Sequence, residues 1–156
     1  MSIEPSTLAI LGGVIAQVGG IIGSSVGIGI AASAGAATLA EDPKQFRSVT
    51  VLAALPMTQT FYALIVLVLI ITSVVPKLPA EGSAGLSVLV IGLITGAAEC
   101  FSAWYQGVIC ASAISVLPKT KGGIFVSGIV LAALVELLGQ LGMVFAIMAL
   151  TMLGLM

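Results

Sequence analysis

The chain is 156 residues long, 60% hydrophobic and only 7% charged, against about 25% charged residues in an ordinary soluble domain. Eleven charged side chains cannot cover a water-soluble surface of this size, which excludes a soluble globular domain. A net charge of −1, no histidine and no basic patch leave nothing to grip nucleic acid.

The first uncharged run extends from Ser6 to Ala40, more than the roughly 20 residues that cross about 30 Å of hydrocarbon. It predicts a transmembrane helix over about 7–40. No basic segment precedes it, since the first Lys or Arg is Lys44, which argues against a cleaved secretory signal. Gly19, Gly23 and Gly27 make overlapping G-x-x-x-G steps, which let two backbones approach closely where no hydrophobic drive separates helix from lipid. Two readings of these glycines stand open: simple packing inside one four-helix unit, or the curved inner wall of a ring.

After the connection "AEDPKQFR", the run Ser48–Val75 predicts a second span over about 47–75. Here Leu55, Thr58, Gln59 and Tyr62 follow i, i+3, i+4 and i+7 spacing, so one helical face carries all four. Pro56 predicts a kink that frees the carbonyl of Leu52. Alone, Thr58 would bond back to its own helix and Tyr62 would pack as an aromatic whose hydroxyl needs a partner.

The connection "PKLPAEGS" leads to a third span, about 84–117, interrupted only by Glu99, and "LPKTKGG" to a fourth, about 122–154, interrupted only by Glu136. Cys100 and Cys110 sit on the third span, about 15 Å apart along its axis, too far to bridge within one chain. Four of the five basic residues lie in the first and third connections. The positive-inside rule then places those loops in the cytoplasm and both termini outside.

Slid so that Ile30 falls on Ile109, the halves of the chain align without a gap: "IAASA" meets "ICASA", Phe46 meets Phe125, and "VLAAL" at Val51 meets "VLAAL" at Val130. The chain is two copies of one helical hairpin, residues 1–78 and 79–156, expected to run parallel about an axis along the membrane normal. Among the differences between the copies, Glu136 stands against Met57, so the duplicated unit holds one carboxylate at this position where symmetry would allow two.

Counted from the loop lysines, Thr58, Gln106 and Glu136 fall within about one helical turn of the same depth. An ionised carboxylate there is costly unless it is paired, coordinated or protonated, and no basic residue lies at that depth. Glu136 must carry a proton or a cation. The neighbouring Thr and Gln oxygens are hard donors suited to a hard cation, and one carboxylate balances Na⁺ better than Ca²⁺. Gln59 and Gln106 could also pair with each other. Glu99 lies about 10 Å from Gln106 along the same helix and is expected to be a protonated or hydrated carboxyl facing a wetter interior of an assembly, outside the ligand layer.

These residues resemble the proteolipid, called K or c, of rotary V-type and A-type ATPases, most closely the bacterial Na⁺-transporting members. The resemblance rests on the fused hairpins, the glycine-rich first helix, the run Leu55-Pro56-Met57-Thr58-Gln59 followed by Tyr62, the pair Gln106-Gly107, and Val135-Glu136. It implies Na⁺ held by the Leu55 carbonyl, Thr58, Gln59, Gln106 and Glu136, with Tyr62 bonding Glu136 and closing the site. It further implies an all-α membrane protein of two tandem parallel hairpins that assembles into a homo-oligomeric ring among the lipids of a prokaryotic plasma membrane. The ring would turn against a membrane stator that bears an Arg, with a central-stalk subunit on the cytoplasmic loops. Lacking a G-x-x-x-x-G-K-[ST] loop, the chain would be a non-catalytic ion carrier.

Three other readings stay open on the residues. The first keeps the family and carries H⁺ on Glu136. The second is a small multidrug-type antiporter with Tyr62, Trp104 and Tyr105 as aromatic walls. The third is a structural membrane spacer, which leaves the shared polar layer without a purpose.

Overall fold

The computed structural model describes residues 4–156. Its four spans are Pro5–Glu41, Pro43–Lys77, Ala84–Ser115 and Phe125–Met152, each long and apolar enough to cross a membrane. The first is one continuous helix, α1 (Pro5–Glu41), which opens with proline in its first turn, where the missing N–H costs nothing. The second span is broken: α2 (Phe46–Ala54) passes through a 3₁₀ turn, Leu55–Met57, into α3 (Thr58–Leu69), then into a π turn, Ile70–Val74. The third and fourth spans are α4 (Ala84–Ser115) and α5 (Phe125–Met152). The described residues contain no β-strand.

Helices α1 and α4 run parallel and in close contact from end to end. A β-carbon on Gly12 would lie 2.7 Å from the Val88 carbonyl oxygen, and β-carbons on Gly19, Gly23 and Gly27 would overlap the backbone at Gly96, Cys100 and Ala103. On the α4 side, β-carbons on Gly92 and Gly107 would overlap Gly12 and Gly27. With lipid as apolar as leucine, attraction between helices comes from van der Waals contact, and glycine on both sides brings the backbones within its range. The three glycines of the G-x-x-x-G steps therefore pack inside the chain, against α4.

The adjacent side of α1 meets the second span. Thr60 donates to Ser24 Oγ at 2.8 Å and lies 3.1 Å from the Gly20 carbonyl, while Gly20 accommodates Ala63. Both hairpin loops lie at one end. Thr38 donates to the Ile114 carbonyl at 3.1 Å, and Gln45 in the first loop approaches Gly122 in the third. Gly122 has φ 85°, in the left-handed region where a side chain would be strained, and Lys121 before it has φ 50°.

The apolar core is divided in two. One cluster, including Val66, Ile70, Val88, Ile91 and Leu150, fills the half toward the termini; the other, including Val49, Leu52, Ile114, Leu117 and Ala132, fills the half toward the loops. Between them lies a layer of buried polar side chains: Gln59, Thr95, Glu99, Ser102 and Gln106.

Candidate functional site

Three elements build the polar layer. Pro56 lacks the N–H that would continue the α-helix, and the backbone tightens into the 3₁₀ turn before α3 begins at Thr58. In that turn the Leu55 carbonyl accepts the Thr58 N–H, and the Thr58 hydroxyl lies 3.1 Å from the same carbonyl oxygen and 3.1 Å from Gln59 Oε1. Three neutral oxygens thus stand beside one another at the kink.

Helix α4 contributes Gln106, fully buried, and α5 contributes Glu136, half-buried. Gln59 Nε2 donates to Gln106 Oε1 at 2.9 Å, and Gln106 Nε2 donates to Glu136 Oε2 at 3.2 Å. The second oxygen of that carboxyl, Oε1, accepts from the Tyr62 hydroxyl at 2.8 Å. The structure therefore brings Leu55, Thr58, Gln59, Tyr62, Gln106 and Glu136 into one hydrogen-bonded group. The two glutamines do pair, and the pair also leads directly to the carboxyl.

Two participants were absent from the sequence reading. Ser102 accepts from Gln59 Nε2 at 3.1 Å and donates to the Val135 carbonyl at 2.9 Å; Gln140 donates to the Tyr62 hydroxyl at 3.2 Å. A spacing signal existed for both, since Ser102 lies at i−4 from Gln106 and Gln140 at i+4 from Glu136.

Glu99 corrects an expectation. It faces α5 inside the chain, not the interior of an assembly, and is 0% exposed with neither carboxyl oxygen hydrogen-bonded. A β-carbon on Gly139 would lie 2.8 Å from Glu99 Oε2 and 3.0 Å from Ser102 Oγ, so two glycyl hydrogens make the room that the carboxyl occupies.

Around Glu136, α5 presents a lipid-like face. Leu134, Leu137, Leu138 and Leu141 are each more than half exposed. All five basic side chains lie in the loops or at helix ends, leaving none in this layer. Trp104 and Tyr105 are 41% and 60% exposed, and Tyr62 alone among the three aromatics bonds to the carboxyl.

The arrangement suits a small cation. Glu136 accepts two hydrogen bonds, one on each oxygen. Tyr62 already accepts from Gln140, which leaves its own proton for Glu136. Hard oxygens at about 3 Å from one another, next to one negative charge, are the donor set of a hard monovalent ion.

The sequence matches the model of the family described as the C subunit of ATP synthase twice, over residues 6–70 and 89–149. It is 31% identical over 149 residues to the A-type ATP synthase subunit K of Methanocaldococcus jannaschii, covering 95% of this chain and 64% of that relative. It is 34% identical over 131 residues to the V-type sodium ATPase subunit K of Enterococcus hirae, covering 80% of this chain and 78% of the relative. The chain thus spans less than two thirds of the length of the first of these relatives.

Proposed function

Since this chain belongs to the family of ATP synthase C subunits, we propose that it is the non-catalytic, ion-carrying proteolipid of a rotary ATPase and that its cargo is Na⁺. The ion would be held by the Leu55 carbonyl, Thr58 Oγ1, the side-chain oxygens of Gln59 and Gln106, and the Glu136 carboxylate. The observation that carries this reading is the hydrogen-bond pattern on Glu136, where Tyr62 and Gln106 each donate to a different oxygen. A proton-loaded acid would have to reverse the contact with Tyr62, donating its own O–H to a phenolic oxygen that already accepts from Gln140. The printed name of the Enterococcus hirae relative, a sodium ATPase subunit, supports the same ion.

The mechanism follows from charge. A bare carboxylate on the leucine-covered face of α5 is costly against lipid, so the ring turns past lipid with the ion bound and Glu136 neutralised. Release requires a competing positive charge, supplied by an Arg on the membrane stator. Tyr62 keeps the carboxylate aimed at the ion between those encounters. Many copies form the ring in a prokaryotic plasma membrane, with the first and third loops on the cytoplasmic side, against the central stalk. An antiporter site walled by aromatics is disfavoured because, of Tyr62, Trp104 and Tyr105, Tyr62 alone hydrogen-bonds the carboxyl.

Equilibrium binding of radioactive Na⁺ to the purified ring tests the reading. Saturable binding of one ion per chain, abolished in Glu136→Gln, is the expected result. Absence of saturable Na⁺ binding in the wild type would overturn it in favour of H⁺.

A further inference from the structure

Glu99 is a second carboxyl in the membrane layer, and the ion-binding group does not use it. It lies between α4 and α5, fully buried, with both oxygens free of hydrogen bonds. An ionised carboxylate in this position would have to be neutralised. No side chain packed around it supplies a positive charge. Between Ser6 and Ala40, α1 brings no ionisable side chain; α3 brings only Tyr62, and α5 only Glu136. On α4 itself the other ionisable groups are Cys100, Tyr105 and Cys110.

A metal cation needs several oxygen ligands in addition to the carboxylate, and this site offers almost none. The nearest side-chain oxygen across Gly139 is Ser102 Oγ, which already accepts from Gln59 and donates to Val135. Facing Glu99 on the α5 side are Gly139 and Gly142, which have no side-chain donor at all; a β-carbon on Gly142 would lie 3.6 Å from Glu99 Oε1. A proton needs no such shell.

We propose that Glu99 is a second ion site in each protomer, selective for a proton, which holds the carboxyl neutral between α4 and α5. The O–H bond formed on one carboxyl oxygen replaces the O–H bond broken in the hydronium ion that delivers the proton during assembly, the water molecule released staying in the solvent. Its consequence is a count of charges: with Glu99 neutral, only Glu136 exposes an exchangeable charge to the stator, so each protomer moves one ion per passage. The two sites differ in chemistry, an oxygen shell at Glu136 and an apolar glycine-floored slot at Glu99. The inference goes beyond the Na⁺ reading and stands whether Glu136 carries Na⁺ or H⁺.

Infrared spectroscopy of the purified ring at about pH 8, well above the ordinary carboxyl range, tests it, with saturating Na⁺ present. The expected result is a carboxylic-acid C=O stretch that moves on ¹³C-labelling of glutamate and loses the Glu99 component in Glu99→Gln, with the number of Na⁺ bound per chain the same in both proteins. Should Glu99→Gln fail to assemble, the labelled Glu136→Gln ring must keep the band, because Glu99 is then the one glutamate left between the helix ends, Glu4, Glu41 and Glu81 lying exposed at or beyond them. The proposal is overturned by the absence of an acid band in the wild type, or by two Na⁺ per wild-type chain against one in Glu99→Gln.

Discussion

The Tyr62 hydroxyl lies 2.8 Å from Glu136 Oε1, joining the second span to the fourth across the repeat. Gln140, one turn beyond Glu136 on the same helix, donates to that hydroxyl at 3.2 Å. The relay orients the tyrosine proton toward the carboxyl group.

Removing that proton should loosen the site without dismantling it. A hydrogen bond to a charged group contributes about 1.5–3 kcal/mol, so Tyr62→Phe is expected to weaken Na⁺ binding at least roughly tenfold, mostly through faster release. Gln140→Leu acts only through the tyrosine and should weaken it less. Dissociation rates of radioactive Na⁺ from the two purified rings check the order; equal rates in Tyr62→Phe and wild type would remove Tyr62 from the closure.

Gln59 has a larger share. Its Oε1 lies beside Thr58, and its Nε2 serves both Gln106 and Ser102. Gln59→Leu deletes a proposed ligand oxygen and leaves the buried Gln106 Oε1 without its donor, and losses of this kind reach about 3 kcal/mol. Na⁺ affinity should fall by roughly 100-fold. Titration of Na⁺ binding by calorimetry reads the change, and an affinity near that of the wild type would remove Gln59 from the ligand set.

The chain-order reading of the sequence went far here because the membrane imposes so few options. Uncharged runs marked the spans, and depth counted from Lys44, Lys119 and Lys121 placed Thr58, Gln106 and Glu136 in one layer, where the structure joins Gln106 directly to Glu136. Ser102 was missed for a physical reason. A serine in a membrane helix ordinarily bonds back to its own carbonyl four residues earlier, as Ser112 and Ser115 do here, and nothing in its identity separates it from them. Glu99 was placed on the wrong side because the room it occupies belongs to Gly139 and Gly142 of another helix. The π turn at Ile70–Val74 carries no glycine or proline to announce it.

The small-residue seam makes a sharper test of packing. A β-carbon on Gly27 would overlap the Ala103 carbonyl and lie 2.8 Å from Pro56 Cβ, whereas one on Gly29 would have nothing within 4 Å. Gly27→Val must therefore push α1 away from both α4 and the 3₁₀ turn, at a cost of at least about 3 kcal/mol, the upper end for overpacking. Gly29→Ala should leave the chain's own packing within about 0.5 kcal/mol of the wild type. Thermal unfolding in detergent, followed by circular dichroism, separates them; equal midpoints would contradict the seam.

At the first loop, Asp42 accepts from Gln45 Nε2 at 2.9 Å and from the Lys44 N–H at 3.1 Å. The Gln45 hydrogen bond, followed by that of Lys44, lowers the Asp42 pKa below its ordinary 3.8. A lowered folded-state pKa means that the loop is stabilised above the unfolded value and loses that contribution as pH falls through the folded one. Amide protection at Lys44, corrected for intrinsic exchange, should be full at about pH 6 and reduced at about pH 2. Asp42→Ala should show the reduced value at both.

In the proposed mechanism Glu136 holds Na⁺ in an oxygen cage and gives it up only when its carboxylate meets a competing charge. Carbodiimide attacks the protonated acid, so its rate of reaction at Glu136, followed by mass spectrometry across pH with Na⁺, Li⁺ or K⁺, reports the occupant directly. Protection by Na⁺ and Li⁺ but not by K⁺, growing as pH rises, is the predicted result. Labelling that follows pH alone, indifferent to all three cations, would contradict the cage and leave Glu136 a carrier of protons.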